Sequence, residues 1–218
     1  MKDFDINSAW PQLKRQVRGL HVPWLEKMAA GKRDPFKTLI ACILSLRTQD
    51  KTTGEASERL FALASTPEEV ASLDAERIRK AIYPVGFYRT KAKTIKALSG
   101  TLVSQYHGKV PDRIEELLKL KGVGRKTANL VVTLGFGKYG ICVDTHVHRI
   151  TNRWGYVRTK TPQETEFALR EKLPRRYWKE INGLLVAFGQ NICRPVSPLC
   201  SGCALSSLCR KVNVTRHR

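Results

Sequence analysis

Apolar residues recur along most of this chain at spacings of three and four positions, the period of an α-helix with one buried face. The clearest stretch contains Phe36, Leu39, Ile40, Ile43 and Leu44. No alternating run of apolar and polar residues is long enough to demand a β-sheet, and no repeat of solenoid length is present. The pattern therefore predicts an all-α protein of roughly ten helices joined by short turns.

Short polar signals predict where several helices begin. Thr66 and Thr161 each precede a proline, and a threonine hydroxyl can accept a hydrogen bond from the free N–H groups of a helix that starts with proline. Asp112 predicts a similar start. From about residue 29 to residue 138 the chain reads as a continuous series of helices, and a glycine-rich break covers residues 135–140.

The charge balance narrows the choice of partner. The 218 residues include 39 Lys and Arg against 19 Asp and Glu, a formal net charge of +20. This surplus favours nucleic acid, because each Lys or Arg that meets a phosphate releases condensed counterions. Solubility alone is the alternative, and an anionic membrane is disfavoured because no segment pairs a basic face with an aromatic one. With no apolar run of membrane-spanning length and no signal-peptide pattern, we expect a cytoplasmic protein.

The cysteines fall into two groups. Cys42 and Cys142 stand in apolar surroundings and are predicted to be small core residues. The other four lie close together near the end of the sequence, which in a cytoplasmic chain indicates metal binding instead of disulfides. They are Cys193, Cys200, Cys203 and Cys209. Their spacing alone suits zinc and an iron–sulfur cluster equally well.

Residues 117–129 (LLKLKGVGRKTAN) contain the first candidate for nucleic-acid binding. Gly122, Val123 and Gly124 predict a tight turn, and a second helix is predicted to begin near Arg125. The free N–H groups and positive dipole end of that helix suit a phosphate. In a chain this basic, the pattern indicates a helix-hairpin-helix that binds the DNA backbone without reading its sequence.

Two charged residues in and after this segment are candidates for chemistry. Lys126 lies in the first turn of the second helix, where spacing alone favours a phosphate-binding lysine over a nucleophile that forms a Schiff base. Asp144 lies in residues 143–149 (VDTHVHR), directly after an apolar run. It suits either a helix N-cap or a carboxylate that stabilises positive charge on a sugar.

Taken together, residues 120–129, residues 143–149 and the C-terminal cysteines resemble the endonuclease III family of helix-hairpin-helix DNA glycosylases. Residues 86–92 (GFYRTKA) also resemble a family segment, and the similarity runs from about residue 35 to residue 209.

The resemblance implies an all-α, two-lobed fold. One domain, at residues 29–138, would end in the helix-hairpin-helix. The other, made of residues 1–28 and 139–218, would hold an iron–sulfur cluster.

Residue roles also follow from the resemblance. Lys126 would be the nucleophile, Asp144 would be the catalytic carboxylate, and the four cysteines would bind a [4Fe–4S] cluster on their 6-2-5 spacing. The residues expected to contact DNA are Arg47, Phe87, Lys91, Gly122, Val123, Gly124, Arg125, Thr145 and His146.

The chain departs from the family pattern at one DNA-contacting position. Relatives often have Gln where this chain has Arg47, at the position that fills the gap left by a flipped nucleotide. Arginine can stack and form hydrogen bonds there, so the preference for the opposing base is expected to differ. Phe87 stands where the family places an apolar wedge, and a core phenylalanine is the equal alternative.

The resemblance thus implies a base-excision repair DNA glycosylase with AP-lyase activity, which removes oxidised pyrimidines through a lysine Schiff base and nicks the strand by β-elimination. We expect it to act as a monomer on double-stranded DNA that contains a damaged base or an abasic site. We expect no association with membranes, and an association with the nucleoid through DNA binding. A monofunctional or mismatch-directed glycosylase is one alternative, and Lys126 argues against it. A non-catalytic DNA-binding protein is the other, and Lys126 and Asp144 together argue against that.

Overall fold

The structure is a computed structural model that describes residues 3–20, 23–31 and 33–218. It is helical throughout, and no β-strand occurs within those ranges, so the all-α prediction is confirmed. Contacts divide the chain into two compact units. We call Trp24–Gly140 the hairpin unit, and Met1–Pro23 together with Ile141–Arg218 the terminal unit.

The hairpin unit contains eight of the described helices. They are α2 (Trp24–Ala30), α3 (Pro35–Ser45), α4 (Asp50–Leu63), α5 (Pro67–Ser72), α6 (Ala75–Ile82), α7 (Tyr88–Tyr106), α8 (Ile114–Leu117) and α9 (Arg125–Leu130), which continues as a π-helix over Val131–Gly135. The apolar face predicted from the spacing in α3 is buried as expected. It forms one core with the inner face of α7 and the hairpin helices, which fixes the position of the hairpin within this unit.

The terminal unit contains the remaining helices. They are α1 (Ile6–Val17), α10 (Thr145–Arg153), α11 (Pro162–Lys172) and α12 (Ile181–Asn191), with a 3-10 turn at Arg175–Tyr177. Its core is centred on Trp154, whose ring stacks on Phe4 with 4.7 Å between the ring centres. Phe188 of α12 packs on the same tryptophan, so the core joins the N-terminal segment to the last helix.

Two of the three predicted helix starts are confirmed. The hydroxyl of Thr66 accepts a hydrogen bond from the Glu69 N–H at 3.2 Å, and the Glu69 carboxylate accepts one from the Thr66 N–H in return. Thr161 caps α11 in a similar way. The prediction at Asp112 is wrong: α8 begins two residues later, and the Asp112 carboxylate pairs with Lys138 instead.

Cys42 and Cys142 are both buried, as predicted for small core residues. None of the helices in the described part of the chain is long and apolar enough to cross a membrane.

Candidate functional site

The predicted turn between α8 and α9 depends on one of its two glycines. Gly122 has φ +87°, and a Cβ placed on it would lie 2.8 Å from the Cγ2 of Thr94 in α7. Both its backbone conformation and its close approach to α7 therefore require glycine. Gly124 has φ −97° and an extended backbone, and apart from its own chain neighbours no atom of the described residues lies within 4 Å of a Cβ built there. The space beside the start of α9 is thus open.

The N-terminus of α9 presents backbone N–H groups towards this open space. Gly124 occupies the N-cap position, and a glycine has no side chain with which to cap the helix. Val123 is buried and fixes the turn on the core, whereas Gly122 and Gly124 are exposed. Uncapped N–H groups at a positive helix end can bind an anion such as a phosphate.

Lys126 lies in the first turn of α9 and is exposed. Its charge is close enough to influence Cys42 of α3: burial raises the pKa of the Cys42 thiol to about 12, and the positive charge of Lys126 opposes that rise. Cys42 therefore remains a neutral thiol at physiological pH. The lysine amine is the exposed nucleophilic group at this position, and the neighbouring thiol does not compete with it.

Asp144 occupies the N-cap of α10 and caps this helix, as the first of the two alternatives predicts. Its Oδ1 atom accepts hydrogen bonds from the N–H groups of His146 and Val147, both at 2.9 Å. The residue is half-buried and follows the buried segment Ile141, Cys142 and Val143, which fixes it at the edge of the core. A carboxylate held so firmly keeps one orientation, as electrostatic catalysis requires.

Thr145 and His146 follow Asp144 in the first turn of α10. Thr145 is exposed, while His146 is half-buried with its Nδ1 atom 3.1 Å from a guanidinium nitrogen of Arg149. Arg149 also donates to the carbonyl oxygen of Cys193 at 2.9 Å. Farther along the helix, Arg153 donates to the carbonyl oxygens of Arg194 and Pro195, both at 2.6 Å. α10 is thereby tied to the start of the cysteine-rich segment.

Arg47 and Phe87 form a pair on the surface of the hairpin unit. The guanidinium carbon of Arg47 lies 5.8 Å from the centre of the Phe87 ring. The Phe87 side chain is 63% exposed, so the alternative of a core phenylalanine is wrong. Whether the pair enters DNA stays a prediction.

Lys91 is a predicted DNA contact that the structure corrects, and so is Val123, which is buried and donates its N–H to the carbonyl oxygen of Leu120 at 3.1 Å. The Lys91 side chain is buried, and its Nζ atom donates to the carbonyl oxygens of Leu44 and Leu46 and to the hydroxyl of Thr48, at 2.8, 2.6 and 3.1 Å. All three ammonium hydrogens thus have partners inside the protein. Lys91 is not available to a phosphate, and sequence reasoning missed its role because a lysine at a helix start is typically solvated.

The four C-terminal cysteines all line one small cavity in the terminal unit. The cavity is otherwise walled mainly by apolar side chains of Trp154, Phe188 and neighbouring residues. The N–H of Lys211 donates to the Cys209 sulfur at 3.3 Å, and an Arg153 guanidinium nitrogen lies 3.6 Å from the Cys193 sulfur. Cationic and N–H donors of this kind stabilise thiolate ligands.

The cysteines are nevertheless not arranged around a single ion. In residues 3–20, 23–31 and 33–218, no three His, Cys, Asp or Glu side chains are placed to hold one metal ion.

Comparison with known proteins defines the class of this protein. Residues 40–175 match the family described as HhH-GPD superfamily base excision DNA repair protein. The chain belongs to this superfamily, and it is a DNA glycosylase of base excision repair.

Particular relatives place it more narrowly. The chain is 52% identical to endonuclease III of Thermotoga maritima over 81% of this chain and 83% of that protein. It is 45% identical to the mouse endonuclease III-like protein 1 over 83% of this chain, but it spans only 61% of the mouse protein. Among solved structures, it is similar to a trapped covalent intermediate of endonuclease III and DNA, in the estranged-adenine complex, with a TM-score of 0.83 and 35% identity over 94% of both chains.

Proposed function

We propose that this protein removes oxidised pyrimidines from double-stranded DNA and then cuts the strand, with Lys126 as the nucleophile. The observation that carries the proposal is the exposed Lys126 amine in the first turn of α9, directly after the glycine N-cap of that helix. A phosphate bound at that terminus would hold the DNA backbone next to the amine. The similarity to a structure of endonuclease III trapped covalently on DNA supports the same chemistry.

The reaction proceeds in two stages. The Lys126 nitrogen attacks C1′ of a flipped nucleotide as the C1′–N bond breaks, and the departing base takes the bonding electrons and the proton that the lysine nitrogen gives up. Opening of the sugar ring gives an imine between the lysine nitrogen and C1′. Loss of a proton from C2′ then expels the 3′ phosphate oxygen, which is the β-elimination that nicks the strand.

Asp144 would assist the first stage. Base departure builds positive charge on the sugar, and a fixed carboxylate lowers the energy of that charge. Because Asp144 also caps α10, its orientation is set by the fold before DNA binds. The expected contacts of Arg125, Thr145 and His146 with the DNA backbone belong to the same proposal.

Cys193, Cys200, Cys203 and Cys209 would hold a [4Fe–4S] cluster. The four cysteines line one cavity, and their 6-2-5 spacing resembles that of the endonuclease III family, which supports this cluster. When bound, the cluster supplies cross-links that order the loop around it. The loop carries Arg194 and Lys211, which would face a DNA backbone, whereas Arg210 is already paired with Asp3.

The product of the reaction tests the proposed function. A duplex with a single thymine glycol should yield a nicked strand that ends in an unsaturated aldehyde, without any alkali treatment. The same duplex with an undamaged thymine is the control and should stay intact. A monofunctional glycosylase would instead leave an unbroken abasic strand that alkali is needed to cut.

A further inference from the structure

The loop between α3 and α4 and the turn before α7 are unusual in their backbone conformation. Arg47 has φ +52° and Phe87 has φ +58°, so both lie in the left-handed region that residues with side chains rarely adopt. Neither position is a glycine, and both side chains point to the surface. Such conformations persist only where the surrounding structure holds them, and they concentrate at functional sites.

Lys91 contacts both of these segments. Its side chain binds the loop that carries Arg47, at Leu44, Leu46 and Thr48. Its backbone N–H donates to the carbonyl oxygen of Phe87 at 3.0 Å. Since Leu44 is at the C-terminal end of α3, the ammonium also lies at the negative end of that helix dipole. One residue therefore links the two strained positions.

Thr48 and Gly86 complete the connection. The Thr48 hydroxyl oxygen accepts a hydrogen bond from the Gly86 N–H at 3.2 Å, in addition to the one from Lys91. A Cβ on Gly86 would lie 2.5 Å from the carbonyl oxygen of Arg47, so the two segments approach too closely for any other residue. The loop of Arg47 and the turn of Phe87 thus form one fixed assembly.

Burying an ionisable lysine side chain costs free energy, and a residue that only fills space would not need it. The Lys91 side chain is 7% exposed, and burial lowers its pKa to about 8. An apolar side chain of similar length would fill the same volume without that cost. An apolar side chain would form none of the hydrogen bonds with which Lys91 fixes the loop of Arg47.

We propose that Lys91 is a positioning residue that holds Arg47 and Phe87 as one preassembled wedge for the space left in the duplex by a flipped nucleotide. This inference rests on the proposed function. An exposed aromatic ring with a guanidinium beside it suits insertion between bases and contact with the unpaired opposing base. Because the wedge is fixed before binding, DNA does not have to order it. Leu46, which precedes Arg47 in the chain, is also exposed and adds apolar surface.

The test compares duplex and single-stranded DNA, because only a duplex has a space to fill. Lys91→Met should lower single-turnover base release from thymine-glycol duplex by roughly tenfold to a hundredfold, the scale of a small misplacement. Imine trapping on single-stranded abasic DNA should change less than about twofold if only the wedge is affected. Lys93→Met removes an exposed lysine from the same helix and should leave both rates unchanged.

A double-mutant cycle tests whether Lys91 acts through the wedge. In an Arg47→Ala, Phe87→Ala background, adding Lys91→Met should cause no further loss on duplex DNA. If Lys91→Met does not fold, Thr48→Val serves instead, because it removes one of the same hydrogen bonds. It should also lower the rate on duplex DNA more than the rate on single-stranded DNA, by a smaller factor.

Equal losses on duplex and single-stranded DNA, or full additivity with the wedge substitutions, would overturn the role of Lys91. Failure of the proposed function would look different. In that case the parent protein itself would form no imine on single-stranded abasic DNA.

Discussion

The Oδ1 atom of Asp144 accepts a hydrogen bond from the backbone N–H of Val147 at 2.9 Å, and a second from His146 at the same length. The carboxylate that the proposed mechanism uses is therefore also the N-cap of α10. An asparagine has an oxygen in the same position and can still cap a helix, so a single substitution separates the charge from the cap.

Asp144→Asn should lower base release from thymine-glycol DNA by roughly two orders of magnitude, the scale of losing one preorganised electrostatic group. Nicking of ready-made abasic DNA should fall less, because that reaction involves no base departure. Single-turnover rates on the two substrates measure the difference, with melting temperature as a folding check.

A matched control is available at Asp34. It caps α3 by accepting from the Lys37 N–H at 2.9 Å, so Asp34→Asn makes the same change at another helix start. Both rates should stay unchanged in this variant. If Asp144→Asn lowers both rates by the same small factor, Asp144 acts only as a helix cap.

The two hairpin glycines should respond differently to alanine. Gly122→Ala places a side chain in the left-handed region and against Thr94, so it should destabilise the fold by at least about 1–2 kcal/mol, the cost of that backbone region alone. Gly124→Ala has an allowed backbone and open space, so stability should hold while DNA affinity falls as the methyl group enters the phosphate site. Chemical denaturation and DNA titration measure the two effects, and equal stability of both variants would contradict this account.

The purified protein should be yellow-brown and contain iron at about four atoms per chain, as a [4Fe–4S] cluster requires. Cys203→Ser should lower the iron content and the solubility. Cys142→Ala, which changes a buried cysteine outside the cavity, should keep the iron. A colourless protein that binds zinc and is fully active would refute the cluster.

Arg47→Gln should change the preference for the base opposite the lesion more than it changes overall DNA affinity. The guanidinium beside Phe87 is expected to meet the unpaired base, and glutamine offers different hydrogen-bonding groups. Base-release rates on four duplexes that differ only at the opposing base measure this preference. Arg113→Gln, at an exposed arginine elsewhere in the chain, is the control. If Arg47→Gln has the same opposing-base preference as the parent protein, Arg47 is only a surface contact.

The sequence predicted those features that depend on local interactions. The apolar spacing in α3 and the caps at Thr66 and Thr161 involve neighbours three or four residues apart, and all are confirmed. Asp112 was assigned wrongly because its partner, Lys138, is distant in sequence.

The same distinction explains the error at the candidate site. The role of Lys91 depends on carbonyl oxygens more than 40 residues away, which no local pattern reveals. The sequence likewise does not show that Phe87 is exposed, because a phenylalanine after a glycine occurs both in protein cores and on surfaces. The sequence shows Gly86 only as part of a motif, whereas its close approach to the loop of Arg47 explains why it must be glycine.

The most direct measurement of the central claim is covalent trapping on abasic DNA with borohydride. Reduction of the imine should give a stable adduct of one protein and one DNA strand, with the cross-link at Lys126. Lys126→Ala should abolish the adduct while DNA binding survives, and Lys121→Ala, at an exposed lysine in the same hairpin, should retain it. An adduct that forms equally well in Lys126→Ala would contradict the account, because the nucleophile would then lie elsewhere.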